Sequence, residues 1–228
     1  LGGLGGVRVF QRNTANGLWF ERAQLERSEP QRDDQFGASL MIRGDVAIVG
    51  APGHGRSGAA YIFSRDRVSG EWTEDLLISA PSPFPNSGFG AAVAIESEAA
   101  LIGHPGTAES RGVVVEYTWD EARGSWTEQD RIAPRVRTIG DRFGSSLTFR
   151  ENELLVGAPG ADEGRGGVHR FVRNRSRDVW QAVEIFSVGD VEPGFALGST
   201  VGIGRNVVVA GAPGADGGRG RAAVFSRP

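Results

Sequence analysis

Apolar and polar residues alternate with a period of two along most of the chain, in short runs. Residues 37–42 (GASLMI) alternate, 45–50 (DVAIVG) are almost continuously apolar, and 59–66 (AAYIFSRD) and 71–79 (EWTEDLLIS) alternate again. Alternation over four to eight residues marks a half-buried strand, and a short unbroken apolar run marks a strand covered on both faces. These four runs predict strands a, b, c and d of one antiparallel unit. The links between a and b (RGD) and between c and d (VSG) have the length and residue types of hairpins. No stretch carries a helical period.

The unit repeats. Gly37, Gly90, Gly144 and Gly198 mark strand a. Trp19, Trp72, Trp126 and Trp180 mark the start of strand d. Gly50, Gly103, Gly157 and Gly211 each open a Gly-rich loop after strand b, and all three markers step by the same 53 or 54 residues. The first of these loops, in VAIVGAPGHGRSG from Val46, is close to the phosphate-binding pattern G-x-x-x-x-G-K-[ST], with Arg56 in the lysine position. That pattern needs a helix behind it to hold the phosphate. Here the loop occurs four times and a strand-like run follows each copy, so it reads as a turn between strands b and c.

Four short antiparallel strands returning about every 50 residues predict an all-β chain, a β-propeller of four-stranded blades. The a strands (GASLM, GAAVAI, GSSLTF, GSTVGI) are small and apolar, as strands crowded around an axis must be. The repeated tryptophan is expected to cover a neighbouring blade. Phe36-Gly37 before Gly50-Ala51-Pro52, Phe89-Gly90 before Gly103-His104-Pro105, and Phe143-Gly144 before Gly157-Ala158-Pro159 resemble the FG-GAP repeats of integrin α-chain propellers and bacterial extracellular proteins. His104 in the second copy and Leu197 in the fourth depart from the pattern. The resemblance implies an extracellular or cell-surface, non-catalytic propeller engaged in adhesion or recognition.

The repeat organises residues 1–228 as a single domain of about four blade equivalents with split terminal blades. Residues 1–30 carry strands c and d, 31–83, 84–137 and 138–191 one blade each, and 192–228 strands a to c. A ring closed as four blades, a part of a larger propeller and a half that associates with another chain all fit this inventory. Open ends would favour self-association through the terminal strands.

Composition narrows the function classes. Formal net charge is −3, which gives no reason to expect nucleic acid as a partner. There is no cysteine, and all 25 basic residues are arginine, which removes thiolate metal sites and lysine Schiff-base chemistry. No apolar run is long enough to insert in a membrane, and no signal peptide is visible. The resemblance would place calcium in an Asp-rich a–b hairpin. These hairpins read RGDV, ESEA, RENE and GRNV and lack the oxygen ligands, so no cofactor is expected. Arg43-Gly44-Asp45 is an RGD tripeptide in one such hairpin, where glycine and aspartate are ordinary turn residues.

The b–c loops carry the best binding candidates. Arg111, Arg165 and Arg219 each lie eight residues after their loop glycine, and Arg56 lies six after. In a propeller the b–c loops and d–a links share one face. These arginines, with Asp162, Glu163 and Asp216, can form an arc able to hold carboxylates, phosphates or acidic glycans, or each can pair with a carboxylate of its own loop. Trp119, outside the tryptophan register, is a further candidate as a stacking platform or as a cover for a strand edge. His54, His104 and His169 show no metal-ligand spacing, and Asp33 and Asp34 read as solvated. The expected function is a non-catalytic propeller recognising a protein or glycan through the b–c and d–a loop face. The alternatives are a building block of a larger surface assembly, and a lectin or carbohydrate-active enzyme.

Overall fold

The structure is a computed structural model that describes residues 5–81, 84–96, 99–174 and 176–226. Its strands form five antiparallel sheets in chain order. The first has two strands, β1 (Val7–Arg12) and β2 (Trp19–Leu25). Three four-stranded sheets follow: β3 (Ser39–Arg43), β4 (Val46–Ala51), β5 (Ala59–Arg65) and β6 (Trp72–Ser79); β7 (Val93–Glu96), β8 (Ala99–His104), β9 (Val113–Asp120) and β10 (Ser125–Ile132); and β11 (Ser146–Arg150), β12 (Glu153–Ala158), β13 (Gly167–Asn174) and β14 (Val179–Phe186). The last sheet has three strands, β15 (Thr200–Ile203), β16 (Val207–Ala212) and β17 (Arg221–Ser226). Each complete sheet is a meander in the order a, b, c, d, so the arrangement is a β-propeller of about four blade equivalents.

The b strands β4, β8 and β12 are largely apolar because blades cover both of their faces. Ile48, Leu101 and Leu155 are fully buried. In every c–d pair a bulge falls beside the repeated aromatic Phe10, Phe63, Tyr117 or Phe171. A bulge bends the strand and re-aims the next side chain. At the complete blades that aromatic is buried in the core shared with the preceding blade. The tryptophan that opens strand d packs into the same cores at Trp72, Trp126 and Trp180, so it covers the preceding blade as its register suggested.

The Phe-Gly and Gly-Ala-Pro steps form the joint between blades. The N–H of Gly37, Gly90, Gly144 and Gly198 donates to the carbonyl of Gly50, Gly103, Gly157 and Gly211 of the same blade at 2.9–3.0 Å. The carbonyl of the next blade's Phe-Gly glycine lies on the bare Cα of that loop glycine. A Cβ at Gly50, Gly103 or Gly157 would run into Gly90, Gly144 or Gly198. Ser39 and Ser146 donate their hydroxyls to the same carbonyls, at 2.8 Å to Gly90 and 2.7 Å to Gly198. Short parallel bridges Gly58–Phe89, Gly112–Phe143 and Gly166–Leu197 complete the joints. The leucine of the fourth copy therefore makes the phenylalanine's bridge, because the bridge uses backbone.

Four hydrophobic cores join the five sheets in a row, and among the described residues none joins the last sheet to the first. Over the described residues the blades therefore follow one another as an open arc.

Two local expectations need correction, and a third, the RGD turn, gains partners. Asp34 is not solvated. It is fully buried, holds Arg27 at 2.9 Å, and accepts the N–H of Phe36 and Gln31 at 3.1 and 3.3 Å. Its place, three residues before the Phe-Gly glycine, is where the d–a link enters the joint, and its carboxylate satisfies backbone donors there. The b–c loops, read without helix, contain helix-like turns at Thr107–Ser110, Ala161–Gly164 and Ala215–Gly218, whose middle residues have φ between +50 and +68°. These are successive tight turns with left-handed residues, so no helical period marks them. Arg43 and Asp45 of the RGD turn are bound within the sheets, Arg43 to Glu96 at 3.2 Å and Asp45 to Arg65 and Arg67 at 2.6 and 2.9 Å. Those two arginines hold the Asp45 carboxyl below its usual range.

Candidate functional site

The b–c loops lie on one face, and the first three are each clamped between two d–a links. Within a blade, Gly53, Gly106 and Gly160 donate to Asp34, Ser87 and Asp141 at 2.8–3.0 Å. Towards the next blade, the carbonyls of Ser57, Arg111 and Arg165 accept the N–H of Phe89, Phe143 and Leu197 at 2.8–3.2 Å. The carbonyls of Arg56, Ser110 and Gly164 take Asn86, Arg142 and Ala196 at 2.7–2.8 Å. The face is therefore a rigid backbone lattice with side chains standing on it.

That lattice sorts the arginines. Arg111 and Arg165 hold the joint with their carbonyls. Their guanidiniums turn to their own loops, Arg111 to Glu109 at 2.6 Å and Arg165 to Glu163 at 3.1 Å and Asp162 at 3.5 Å. Arg165 also donates Nε to the carbonyl of Val191 at 3.0 Å. The first loop is one residue shorter, so the structural counterpart of Arg111 is Ser57 and not Arg56. Arg56 and Arg219 are exposed and make no side-chain ion pair among the described residues. Asp216 is held by Arg221 at 2.6 Å.

Trp119 stands apart from the loop face. It lies near the far end of β9, and six residues of strand put it about 20 Å from the b–c loop. It pairs across the sheet with Trp126, their rings edge to face at 6.0 Å. The corresponding partners of the other repeat tryptophans are Arg12, Arg65 and Arg173. Trp119 fills a position that elsewhere holds a covering arginine. Stepping 54 residues back from Arg173 finds it in the sequence.

A depression of about 520 Å³ on the loop face lies between the last d–a link and the last b–c loop. Asp190, Glu192, Phe195, Asp216 and Arg221 line it. A smaller one of about 300 Å³, lined by Arg142, Ser145 and Ser199 among others, lies on the same face at the preceding joint. Sequence reading did not find either, because each is formed by segments more than ten residues apart in chain order.

The three histidines belong to the core. His54 bonds the Tyr61 hydroxyl at 3.2 Å. His104 bonds the Ser87 hydroxyl at 2.6 Å and packs edge-on to Phe89, and His169 packs edge-on to Phe143. Burial and then the nearby Arg131 charge push His104 down to about 4, and burial lowers His169 in the same direction. The unfolded chain therefore binds protons first as pH falls. Stability that is full above pH 6.5 should be lost between about 6.5 and 4, by ~3 kcal/mol for His104. Urea titrations at pH 7 and pH 5 should show the drop. His104→Ala should lower stability at pH 7 and leave only the shallower dependence due to His169. An unchanged pH slope in that variant would remove His104 as the cause.

Blades joined through Phe-Gly and Gly-Ala-Pro steps define a repeat-built β-propeller. The family model for the FG-GAP repeat matches residues 19–63 and 126–171, the two spans in which both steps are intact. The chain carries FG-GAP repeats. No curated protein matches it in sequence. Among solved structures it is similar to a Bacteroides uniformis protein named as a 6-phosphogluconolactonase, with a TM-score of 0.64 at 12% identity over 97% of this chain. The chain spans 60% of the length of that protein, and at this identity the likeness concerns the fold. Among the described residues no helix is long and apolar enough to cross a membrane.

Proposed function

We propose that this protein is a non-catalytic extracellular binding propeller that recognises a protein or glycan, in the manner of an adhesion module, through its b–c and d–a loop face. One observation carries the reading. The backbones of the first three loops are locked by blade-to-blade hydrogen bonds while Arg56 and Asp162 stand exposed on them, and Asp216 and Arg219 stand exposed on the fourth loop of the same face. A platform ordered before binding loses little entropy when a partner docks, and charged side chains on it can set specificity. The burial of all three histidines supports a non-catalytic role. The pairing of Asp45 with Arg65 and Arg67, and of Glu153 with Arg170, leaves the a–b hairpins few carboxylates to offer a metal and supports a site without cofactor. The extracellular setting rests on the repeat family.

The test is an array of neutral, sialylated and sulfated glycans and of matrix proteins. It is probed with the wild type and with a variant carrying alanine at Arg56, Asp162, Asp216 and Arg219. Wild-type binding to at least one probe, reduced tenfold or more in the variant with no change in melting temperature, is the expected result. Binding that survives these substitutions but is lost on changing Arg67 and Arg123, on the opposite turns, would place recognition on the other face.

A further inference from the structure

The joint between the first two sheets leaves open a space that the next joint fills. At that next joint Leu76 and Trp126 pack against the same core. One repeat back, Ala23 stands at the position of Leu76, and Trp72 at that of Trp126. The smaller side chain leaves a groove of about 440 Å³ between β2 and the hairpin that leads into β6. Arg22, Ala23, Ser69, Glu71 and Trp72 line it, among others. The groove lies between two blades at the outer rim. Arg22 is on the side of β2 that meets the next blade, as Asp75 is on β6. Asp75 accepts the Ser64 hydroxyl at 2.8 Å, and Arg22 donates Nε to Gln11, the residue in the place of Ser64, at 3.2 Å. Nearer the loop face, Ser28 donates its N–H and its hydroxyl to Glu74 at 2.6 and 2.8 Å. These bonds tie the exit of β2 to β6 and hold the walls of the groove in place.

The polar groups on those walls are unspent. The indole N–H of Trp180 donates to Glu116 at its own joint. Val9 holds the place of Glu116 beside Trp72 and offers no acceptor. Among the described residues the Trp72 N–H makes no hydrogen bond, and it is not sealed in the core. Glu71 is exposed, and among the described residues its carboxylate pairs with nothing. The Ser69 hydroxyl accepts the N–H of Glu71 at 3.2 Å and keeps its own proton to give. Arg22 commits Nε to Gln11 and keeps its terminal amino groups.

We propose that this groove is a subsite for one ring of a neutral oligosaccharide, separate from the loop face. A sugar ring with equatorial hydroxyls has an apolar C–H face, which is attracted to the electron-rich face of an indole. Its hydroxyls, at the edge of the ring, donate to Glu71 and accept from Arg22, Ser69 and the Trp72 N–H. One carboxylate and one guanidinium balance, so neither an acidic nor a basic ligand is favoured. An aliphatic chain would leave these groups desolvated without partners. The volume is that of a small-molecule site.

Cellotriose titrated into the labelled protein should shift the indole N–H resonance of Trp72, which Trp72→Phe assigns by deleting it. A single subsite of this size should give a Kd on the order of 1 mM. Ala23→Leu installs the side chain of the next joint. It should weaken binding tenfold or more, with a melting temperature equal to or above that of the wild type. Glu71→Ala, at an exposed position, should weaken binding threefold or more whether or not Ala23→Leu folds. Sorbitol, which has the hydroxyls without the ring, should leave the resonance in place. The proposal is overturned if cellotriose leaves Trp72 unmoved, if sorbitol acts equally, or if both variants bind as the wild type does. It is also overturned if a proline hexapeptide, and not the sugar, moves the resonance. The variant with alanine at Arg56, Asp162, Asp216 and Arg219 should bind cellotriose unchanged, so this reading and the loop-face reading fail separately.

Discussion

Gly157→Ala should cost about 3 kcal/mol or more, the effect of forcing an atom into a closed core with no side chain free to yield. The added methyl meets the backbone carbonyl of Gly198, and the Ser146 hydroxyl on the same spot, so the cost falls on a blade-to-blade spacing. Backbone cannot rotate away as a long side chain does, and the blade behind Gly198 would have to move. Gly189→Ala is the control. Nothing lies within 4 Å of a Cβ there, and the change should stay within about 0.5 kcal/mol. Guanidinium denaturation of the two variants separates the joint from glycine flexibility in general. Equal effects would mean that the joint tolerates a Cβ and that the motif glycine has another cause.

Glu116→Ala should cost about 3–5 kcal/mol, the usual penalty for breaking a buried ion pair by removing one partner. Glu116 is 1% exposed in β9. It accepts Arg173 and, at 3.1 Å, the indole N–H of Trp180, both from the next blade. Without it Arg173 keeps the exposed Asp178 at 2.7 Å as its ion-pair partner among the described residues, and the indole loses its acceptor. The corresponding position in the preceding blade is Ile62, fully buried, with Trp119 in place of Arg173. An apolar version of this joint is thus already present in the chain. Glu116→Ile with Arg173→Met should recover at least half of the loss, since the charge to be neutralised leaves together with its partner. A double variant no better than Glu116→Ala would show that packing, and not the stranded charge, sets the cost.

Much of this architecture was legible in order along the chain. Period-two runs, a step of 53–54 residues in three markers, and the Phe-Gly and Gly-Ala-Pro pairs determine strands, blades and their register, because hydrogen-bonded hairpins and side-chain alternation are local consequences of sequence. The role of Trp180 and its fellows as covers of the preceding blade followed from that register. Tertiary structure decided the rest. Asp34 looks like any polar link residue, and only the fold brings Arg27 and two backbone donors onto it. The arginines eight residues after the loop glycine could form one binding arc or pair within their own loops, and their spacing does not choose between the two. The fold uses the carbonyls of Arg111 and Arg165 for the joint and turns their side chains to their own loops. Trp119 and the loop arginines were separated by strand length, and the depressions on the loop face arise from segments that meet only when blades stack. Whether the arc closes on itself was likewise beyond local pattern. Curvature is set by how bare glycine Cα atoms, a carbonyl and a hydroxyl let one sheet settle on the next, and that spacing exists only between blades.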